Sequence, residues 1–226
     1  MKPPVPVAVF ASGGGTNLQA LLNHEAMSEE YNVTLVISDR EGAGALARGR
    51  SVGRQTCVIK ASERSVSEVG RETLKRLADL EIQVILLAGY LRMIPPVVVA
   101  AYERRALNIH PALLPAFGGE GMYGTRVHEA VLASGVEVTG ATVHYVDKEY
   151  DTGSIVAQWS VPVCPGDDVT SLAARVLEVE HRLYPAVADH LCRAVAEGVE
   201  PGPFGLTQLD LPSMSPHTEA DGSKSI

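Results

Sequence analysis

Short strand-like runs alternate with helical patterns through the first half of the chain, and this alternation constrains the fold more than any other feature. The strand-like runs occupy residues 5–11, 33–38, 56–60, 84–88 and 106–110. The helical patterns occupy residues 17–27, 43–52 and 67–80. Runs that are apolar throughout suit strands buried on both faces of a sheet. Strands that alternate with helices predict right-handed crossovers, and therefore an α/β fold with a Rossmann-like, mainly parallel sheet flanked by helices.

The pattern changes after Pro111, where residues 112–125 are rich in glycine and proline and predict a loop. A short helix is expected at residues 127–134. Residues 140–146 and 155–163 are predicted to be strands, and the turn-rich link between them indicates that they pair antiparallel. The C-terminal part of the sheet is therefore expected to be antiparallel.

The last helix is expected to begin after a cap at Asp167 or Asp168. Pro185 is expected to kink or interrupt this helix, because proline removes a backbone donor and clashes with the preceding turn. Residues 1–200 are predicted to form a single domain. Residues 201–226, which are rich in proline, glycine and serine, are predicted to form a weakly ordered C-terminal tail.

The composition favours a protein that acts on small molecules. A formal net charge of −8 over 226 residues argues against a general nucleic-acid or anionic-membrane surface. The three cysteines are widely spaced, which suits a reducing compartment and makes no metal motif. No apolar run approaches the roughly 20 residues that a membrane span needs, and the chain starts directly with its first strand. We therefore expect a cytoplasmic monomer or homodimer that binds small-molecule substrates and no metal.

A glycine-rich segment between the first strand and the first helix is the first candidate site. Gly13, Gly14 and Gly15 precede Thr16 and Asn17, which stand at the predicted start of the helix. Glycines in this place let the backbone approach a ligand and point its amides at an anion, which predicts a phosphate site. The alternative is a flexible turn in which Thr16 or Asn17 caps the helix.

The same segment lacks two known nucleotide-binding signatures. Leu18 stands where the dinucleotide fingerprint has its third glycine, and no Gly-Lys-Ser/Thr follows as in a Walker loop. Asp39 ends the second strand, where a dinucleotide-binding fold holds a ribose. Because the fingerprint is incomplete, Asp39 is interpreted as a turn residue.

Asn108 and His110 are the strongest candidates for catalysis. Residues i and i+2 of a strand point to the same side, so a neutral amide donor and an imidazole project into one space. Sites in open α/β sheets lie at the carboxyl ends of strands, where this pair stands. The pair can stabilise an oxyanion if a carboxylate, for which Asp151 is the candidate, keeps the histidine protonated. The alternatives are that Asn108 caps a turn, that His110 and Pro111 only end a strand, and that Asp151 lies in a solvated acidic turn.

Three further features are open between a functional role and ordinary packing. His144 lies on the strand that leads to Asp151 and either supports the site or is a half-buried packing residue. Glu180 on the last helix is interpreted as solvated unless its face meets the pocket. An apolar loop after the fourth strand either lines a slot for a flat ring or packs between sheet and helix. This loop comprises Leu91, Arg92, Met93 and Ile94.

Five motifs occur in order between residues 5 and 195. They are the stretches 11–20, 87–92, 107–115, 151–153 and 179–185. In combination they resemble the phosphoribosylglycinamide formyltransferase family, the folate-dependent enzymes of purine synthesis. The resemblance implies the formyltransferase fold for the single domain.

The resemblance also implies roles for individual residues. Asn108, His110 and Asp151 match the catalytic set. Residues 13–17 match the loop that holds the phosphate of phosphoribosylglycinamide, and Glu180 matches the glutamate that contacts its amine. The matching positions of the folate pocket are Arg71, Leu91, Arg92, Met93, Ile94 and Asn108.

The reaction implied by the resemblance transfers a formyl group from 10-formyltetrahydrofolate, a co-substrate, to the amine of phosphoribosylglycinamide. Asn108 and protonated His110 would stabilise the tetrahedral intermediate, and Asp151 would raise the pKa of His110. One alternative is another formyl-folate enzyme, a hydrolase or a tRNA formyltransferase, although their additional domains are not expected in this chain. The other is a non-catalytic module that binds folate or a nucleotide. The glycine-rich loop at residues 116–124 is expected to be a mobile flap near the substrate.

Overall fold

Seven strands pair into one sheet in the computed structural model, which describes residues 2–62 and 64–205. The strands are β1 (Val5–Phe10), β2 (Tyr31–Ser38), β3 (Gln55–Val58), β4 (Val84–Leu87), β5 (Ala106–His110), β6 (Val138–Tyr145) and β7 (Ile155–Pro162). Their order across the sheet is β3-β2-β1-β4-β5-β6-β7. Strands β1 to β5 run parallel, whereas β6 pairs antiparallel with both β5 and β7. The predicted α/β fold, mainly parallel with an antiparallel C-terminal part, is confirmed.

Helices cover both faces of this sheet. They are α1 (Thr16–Glu25), α2 (Gly44–Ser51), α3 (Val66–Asp79), α4 (Pro96–Ala101), α5 (Thr125–Ser134) and α6 (Val169–Glu197). One buried cluster joins α1, α2, α5 and α6 to the sheet, and a second joins α3 and α4 to the opposite face. The short helix α4 was not predicted, although Pro96 at its first position is a recognised start signal.

The helix α6 is the longest element and covers much of one sheet face. It starts with a capping box, in which the Asp168 carboxylate accepts from the Ser171 amide and the Ser171 hydroxyl accepts from the Asp168 amide. The helix continues through Pro185 for a total of 29 residues, so the prediction of an interruption there is wrong. Tyr184 and Val187 beside the proline are fully buried, and their packing offsets the backbone hydrogen bond that proline removes.

The chain after α6 turns back onto that helix. His190 Nε2 donates to the Gly202 carbonyl at 2.7 Å, and the rings of His190 and Phe204 meet edge to face at 5.5 Å. The predicted weakly ordered tail at 201–226 lies mostly outside the described residues, and a single domain at 1–200 stays a prediction. Among residues 2–62 and 64–205, no helix has both the length and the apolar character that a bilayer crossing requires.

An ion pair joins the first helix to the last. His24 Nε2 lies 2.6 Å from Asp189 Oδ2, and the Ser28 hydroxyl donates to Asp189 Oδ1 at 2.7 Å. The hydrogen bond to Asp189 raises the pKa of His24, and this effect exceeds that of burial, which lowers it. Protonated His24 therefore stabilises the contact between α1 and α6.

We predict that this contact makes stability depend on pH. Because the pKa of His24 is raised on folding, its contribution is fully present below the unfolded pKa of about 6.5 and is lost as pH rises through the folded value. His24→Gln should lower the free energy of unfolding by about 1 kcal/mol at pH 5.5, and by less at pH 9. Urea unfolding at the two pH values measures this difference. Asp189→Asn should remove the same pH dependence, and an equal loss at both pH values would contradict the ion pair.

Candidate functional site

A cavity of about 660 Å³ opens at the carboxyl edge of the sheet, where β1, β4 and β5 end. Strand order reverses between β1 and β4, and ligands of open α/β sheets bind at such a switch point. The predicted residues that line the cavity are Gly13, Gly14, Gly15, Thr16, Asn17, Leu91, Arg92, Met93, Ile94, Asn108, His110, His144, Asp151 and Glu180. Arg71 is exposed on α3 and lies outside this lining, and its expected folate contact stays a prediction.

The glycine loop before α1 presents open backbone to the cavity. Gly15 caps the helix with a φ of 77°, and a Cβ there would lie 2.7 Å from the Cα of Ala45, so only glycine fits. A Cβ on Gly13 or Gly14 would have no neighbour within 4 Å. Within the described part of the chain, the amides of residues 13–17 have no protein acceptor. Free amides at the positive end of a helix suit an anion, and the phosphate site stays a prediction.

Asn108 is oriented by the strand beside it. It pairs with His144 across β5 and β6, and the Asn108 Nδ2 lies 3.1 Å from the His144 Nε2. His144 Nδ1 donates to the Tyr145 carbonyl at 2.8 Å, and its Nε2 faces both the Asn108 amide and the Asp151 carboxylate. This geometry favours a supporting role for His144 over packing alone, and the second partner of the Asn108 amide is Asp151 Oδ1 at 3.5 Å.

His110 is fixed by the glycine-rich loop that follows it. Its Nε2 donates to the Phe117 carbonyl at 2.8 Å, and its Nδ1 lies 3.5 Å from Asp151 Oδ2. Burial lowers the pKa of His110 and outweighs the charge of Asp151 and the Phe117 carbonyl, which raise it. The lowered pKa favours the neutral ring near pH 7, and a protonated His110 during the reaction stays a prediction. A proton that arrives at Nδ1 would face the Asp151 carboxylate.

Asp151 connects the loops on both sides of the cavity. Its Oδ2 accepts from the Gly119 amide at 2.9 Å, and its Oδ1 lies 3.5 Å from both Asn108 Nδ2 and His144 Nε2. Burial would raise the pKa of Asp151, but the hydrogen bond from His144, the adjacent His110 ring and the Gly119 amide together lower it. The carboxylate is therefore ionised at neutral pH and faces His110 and Asn108.

The backbone around Asp151 folds it back over the strands. Asp151 has a φ of 58°, in the left-handed region that aspartate tolerates better than most residues. A Cβ on Gly153 would collide with the Tyr145 carbonyl oxygen. The Asp-Thr-Gly sequence thus allows the link between β6 and β7 to make the sharp return that brings the carboxylate to the site.

Glu180 projects from α6 towards the glycine loop. Its Oε2 accepts from the Asn17 side-chain amide at 2.7 Å, and the residue is only 6% exposed. Burial raises the pKa of Glu180 to about 7, against the Asn17 hydrogen bond, which lowers it. One turn further along α6, the buried Tyr184 hydroxyl contacts the Leu87 and Leu107 carbonyls at 3.0 and 3.1 Å. Tyr184 therefore fixes α6, and with it Glu180, above β4 and β5.

The apolar loop after β4 forms the opposite part of the lining. The Leu91 amide donates to the Ser12 hydroxyl at 2.9 Å, which ties this loop to the one after β1. Ile94 is buried, whereas Met93 is 47% exposed. Arg92 Nε lies 3.4 Å from Asp39 Oδ2. This arrangement leaves apolar side chains, backbone and one guanidinium along the wall.

Two further residues, His128 in the cavity lining and Asp39 beside Arg92, were not predicted as functional. Asp39, which was interpreted as a turn residue, has a side chain only 3% exposed that faces Arg92, and its Oδ1 is buried without a partner in the described structure. His128 on α5 lines the cavity, and burial, assisted by the charge of His110, lowers its pKa. In the sequence, His128 falls on the same side of α5 as the apolar residues that are buried, such as Val127. This pattern indicates core packing and gives no signal of a functional site.

The described residues hold no cluster of three or more His, Cys, Asp or Glu side chains arranged to bind a metal ion. Of the acids and histidines that line the cavity, His110, His144 and Asp151 face one another or backbone groups, and Glu180 accepts from the Asn17 amide. The arrangement joins an anion site, a buried carboxyl, a cluster of Asn108, His110 and Asp151, and an apolar wall.

The chain is similar in sequence to known proteins. A family model described as Formyl transferase matches residues 5–188. The phosphoribosylglycinamide formyltransferase, chloroplastic, of Vigna unguiculata is 43% identical over 190 residues, which cover 82% of this chain and 60% of that protein. The protein of the same name from Arabidopsis thaliana is 43% identical over 191 residues, which cover 82% of this chain and 65% of that protein. The chain therefore spans less than two thirds of the length of these curated relatives.

Its structure also resembles a solved one. The crystal structure of phosphoribosylglycinamide formyltransferase from Bacillus Halodurans superposes with a TM-score of 0.76 at 36% sequence identity. The match covers 85% of this chain and 96% of that chain. The likeness therefore includes nearly all of that structure, with both the parallel and the antiparallel parts of the sheet.

We predict that Glu180 lowers stability at neutral and alkaline pH. Its pKa of about 7 is raised from 4.5, so its ionisation disfavours folding increasingly as pH rises from 4.5 to 7 and by a constant amount above that range. Glu180→Gln should therefore raise the free energy of unfolding at pH 8, by up to about 3 kcal/mol, and by much less at pH 5. Urea unfolding measures both values. Glu178→Gln, an exposed neighbour on α6, should show no such gain, and equal stability of wild type and Glu180→Gln at pH 8 would contradict the raised pKa.

Proposed function

This chain belongs to the formyl transferase family, and we propose that it transfers the formyl group of 10-formyltetrahydrofolate to the amine of 5′-phosphoribosylglycinamide in purine synthesis. One observation carries the proposal. A single cavity joins the open amides of the glycine loop, the buried Glu180, the cluster around Asp151 and the apolar loop after β4. These are an anion site, an amine site, an oxyanion site and a wall for a flat ring, in one continuous space.

The acceptor substrate occupies the glycine-loop side of the cavity in this proposal. Its phosphate binds the amides of residues 13–17, and its amine lies at Glu180. The hydrogen bond between Asn17 and Glu180 supports this placement, because it brings the carboxyl next to the loop. A carboxyl with a pKa of about 7 can accept a hydrogen bond or a proton from an amine near neutral pH.

The folate co-substrate occupies the other side, along Leu91, Arg92, Met93 and Ile94. The apolar side chains suit the pterin ring, and the backbone of the loop offers donors and acceptors to its polar edge. Asn108 stands between the two substrates at the end of β5. The proposed reaction uses no metal. Its electrophile is already activated as a formyl group, and hydrogen-bond donors of the protein stabilise the oxyanion.

The proposed chemistry is an acyl transfer. The neutral amine attacks the formyl carbon, a carbon–nitrogen bond forms, and the carbonyl electron pair becomes an oxyanion. The Asn108 amide donates to this oxyanion. When the intermediate collapses, the bond to the folate nitrogen N10 breaks, and that nitrogen takes the proton that the attacking amine loses.

His110 carries that proton in this proposal. Its Nε2 is committed to the Phe117 carbonyl, so Nδ1 is the atom that takes and returns a proton. The neutral resting ring is suited to accept it, and Asp151 then stabilises the imidazolium. The charged ring also strengthens the positive potential around the oxyanion, so that proton transfer and stabilisation of the intermediate occur together.

A cytoplasmic location, and a monomer or homodimer as the assembly, stay predictions for this chain. The two plant relatives are named as chloroplastic proteins.

We predict that loss of the formyl group, followed by the absorbance of the folate, requires phosphoribosylglycinamide. The acceptor supplies the nucleophile, and the cavity holds it at both ends. Loss of the formyl group with water alone would instead indicate a hydrolase. An unchanged spectrum with both substrates present would indicate a binding module, and either of these outcomes would overturn the proposed transfer.

We also predict the size of two catalytic defects. Asn108→Ala should lower kcat by about 10² to 10³, the usual loss for one oxyanion donor. Asp151→Asn should lower kcat strongly as well, because the imidazolium at His110 loses its counter-charge. Asp79→Asn removes an exposed carboxylate on α3 and is the matched control, with unchanged turnover. Near-normal kcat in Asp151→Asn would refute the pairing with His110.

A further inference from the structure

Groups outside the cavity bind the backbone carbonyls of the glycine loop. The Gly13 carbonyl accepts from the Ala45 amide at 3.1 Å, and the Gly14 carbonyl accepts from Arg48 Nε at 2.8 Å. The Gly15 carbonyl accepts the first backbone hydrogen bond of α1 at 2.9 Å. Three successive carbonyls are thus directed to protein donors, while the amides of residues 13–17 keep no protein acceptor in the described structure.

Arg48 connects three parts of the fold at this point. It lies on α2 and is half-buried. Its Nε holds the Gly14 carbonyl, and its Nη1 donates to the Gln19 side chain on α1 at 3.0 Å. The planar guanidinium fixes the direction of both bonds together, which a flexible ammonium would not do. Arg48 also adds a positive charge behind the amides.

The helix α2 approaches this loop so closely that only small residues fit. A Cβ on Gly44 would lie 3.1 Å from the Gly14 carbonyl oxygen and 3.2 Å from its Cα. A Cβ on Gly15 would lie 2.7 Å from the Cα of Ala45. The start of α2 therefore presses directly on the peptide groups whose orientation decides whether the loop presents amides or carbonyls to a ligand.

We propose that Arg48 is a positioning residue for the phosphate of the acceptor substrate. With the Ala45 amide, it holds the loop carbonyls on the α2 side and so keeps the amides of the loop directed at the anion. An unrestrained peptide group between glycines can rotate and put a carbonyl oxygen next to the phosphate, which repels it. The inference rests on the proposed function, and it assigns to Arg48 an effect on binding of the acceptor rather than on the formyl-transfer step.

Steady-state kinetics of Arg48→Met tests the assignment. The KM for phosphoribosylglycinamide should rise about tenfold, since the free energy of one hydrogen bond to a charged group corresponds to about a tenfold change in affinity. The KM for the folate should stay the same, and kcat at saturation should stay within about twofold, because the formyl group reacts far from α2. Arg48→Lys should recover only part of the loss, because it keeps the charge but not the two fixed donors. Full recovery would assign the effect to charge alone and overturn the positioning role.

The matched control is Arg50→Met, two residues along the same helix. Arg50 Nε donates to the Thr56 hydroxyl, away from the loop, so all three kinetic constants should equal those of the wild type. Gly44→Ala provides a second variant that leaves the arginine in place. Its added methyl group displaces the Gly14 carbonyl, so the KM for the acceptor should rise again, although alanine suits a helix better than glycine. An unchanged KM in both Arg48→Met and Gly44→Ala would overturn the proposal.

Protection by inorganic phosphate separates this inference from the proposed activity. Phosphate should raise the Tm of the wild type and of Arg50→Met, and should raise that of Arg48→Met less. Equal protection of all three proteins would contradict the positioning role even if formyl transfer occurs. Reduced protection of Arg48→Met in a protein that transfers no formyl group would support the role of Arg48 and refute the proposed function.

Discussion

The Tyr184 hydroxyl contacts the carbonyls of Leu87 and Leu107 at the centre of the sheet, and the site depends on this contact. The contact lies near the carboxyl ends of the parallel strands β4 and β5, which border the cavity. It fixes the long helix α6 across these two strands. Glu180 stands one turn away on the same helix, so its carboxyl reaches Asn17 at the start of α1. A buried hydroxyl without an acceptor is costly, and the contact therefore also specifies the register of helix against sheet.

The Asp151 carboxylate has a similar organising role within the cavity. It receives the Gly119 amide from one loop and lies beside His110 and His144 on two antiparallel strands. Opposing effects meet here, since burial lowers the pKa of His110 while the carboxylate raises it. The outcome is a neutral imidazole beside an anion, an arrangement that can accept a proton and then stabilise the charge. In the glycine loop, the Gly13 and Gly14 carbonyls accept hydrogen bonds from α2. The amides of the loop therefore remain directed at the cavity.

Much of the site follows from local rules. The i, i+2 spacing of Asn108 and His110 puts both side chains on one side of β5, and the three glycines before α1 predict an open backbone. Alternation of apolar runs and helical patterns predicts the parallel sheet, and the turn-rich link predicts the antiparallel end. A local rule failed where distant packing decides the outcome, because packing on the sheet keeps α6 continuous through Pro185. The contact between Asp39 and Arg92 likewise joins residues that lie far apart in the sequence.

The sequence by itself determined the fold class and the side chains that can do chemistry, because strand alternation, helix period and glycine placement are local properties of the chain. Only the tertiary structure decided the protonation of His110, the burial of Glu180 and the link from Arg48 to the Gly14 carbonyl. Each of these depends on atoms that lie far apart in the sequence. Burial and neighbouring charges act through space on the pKa of a group. The folded packing therefore decides which of these two effects is larger at each group.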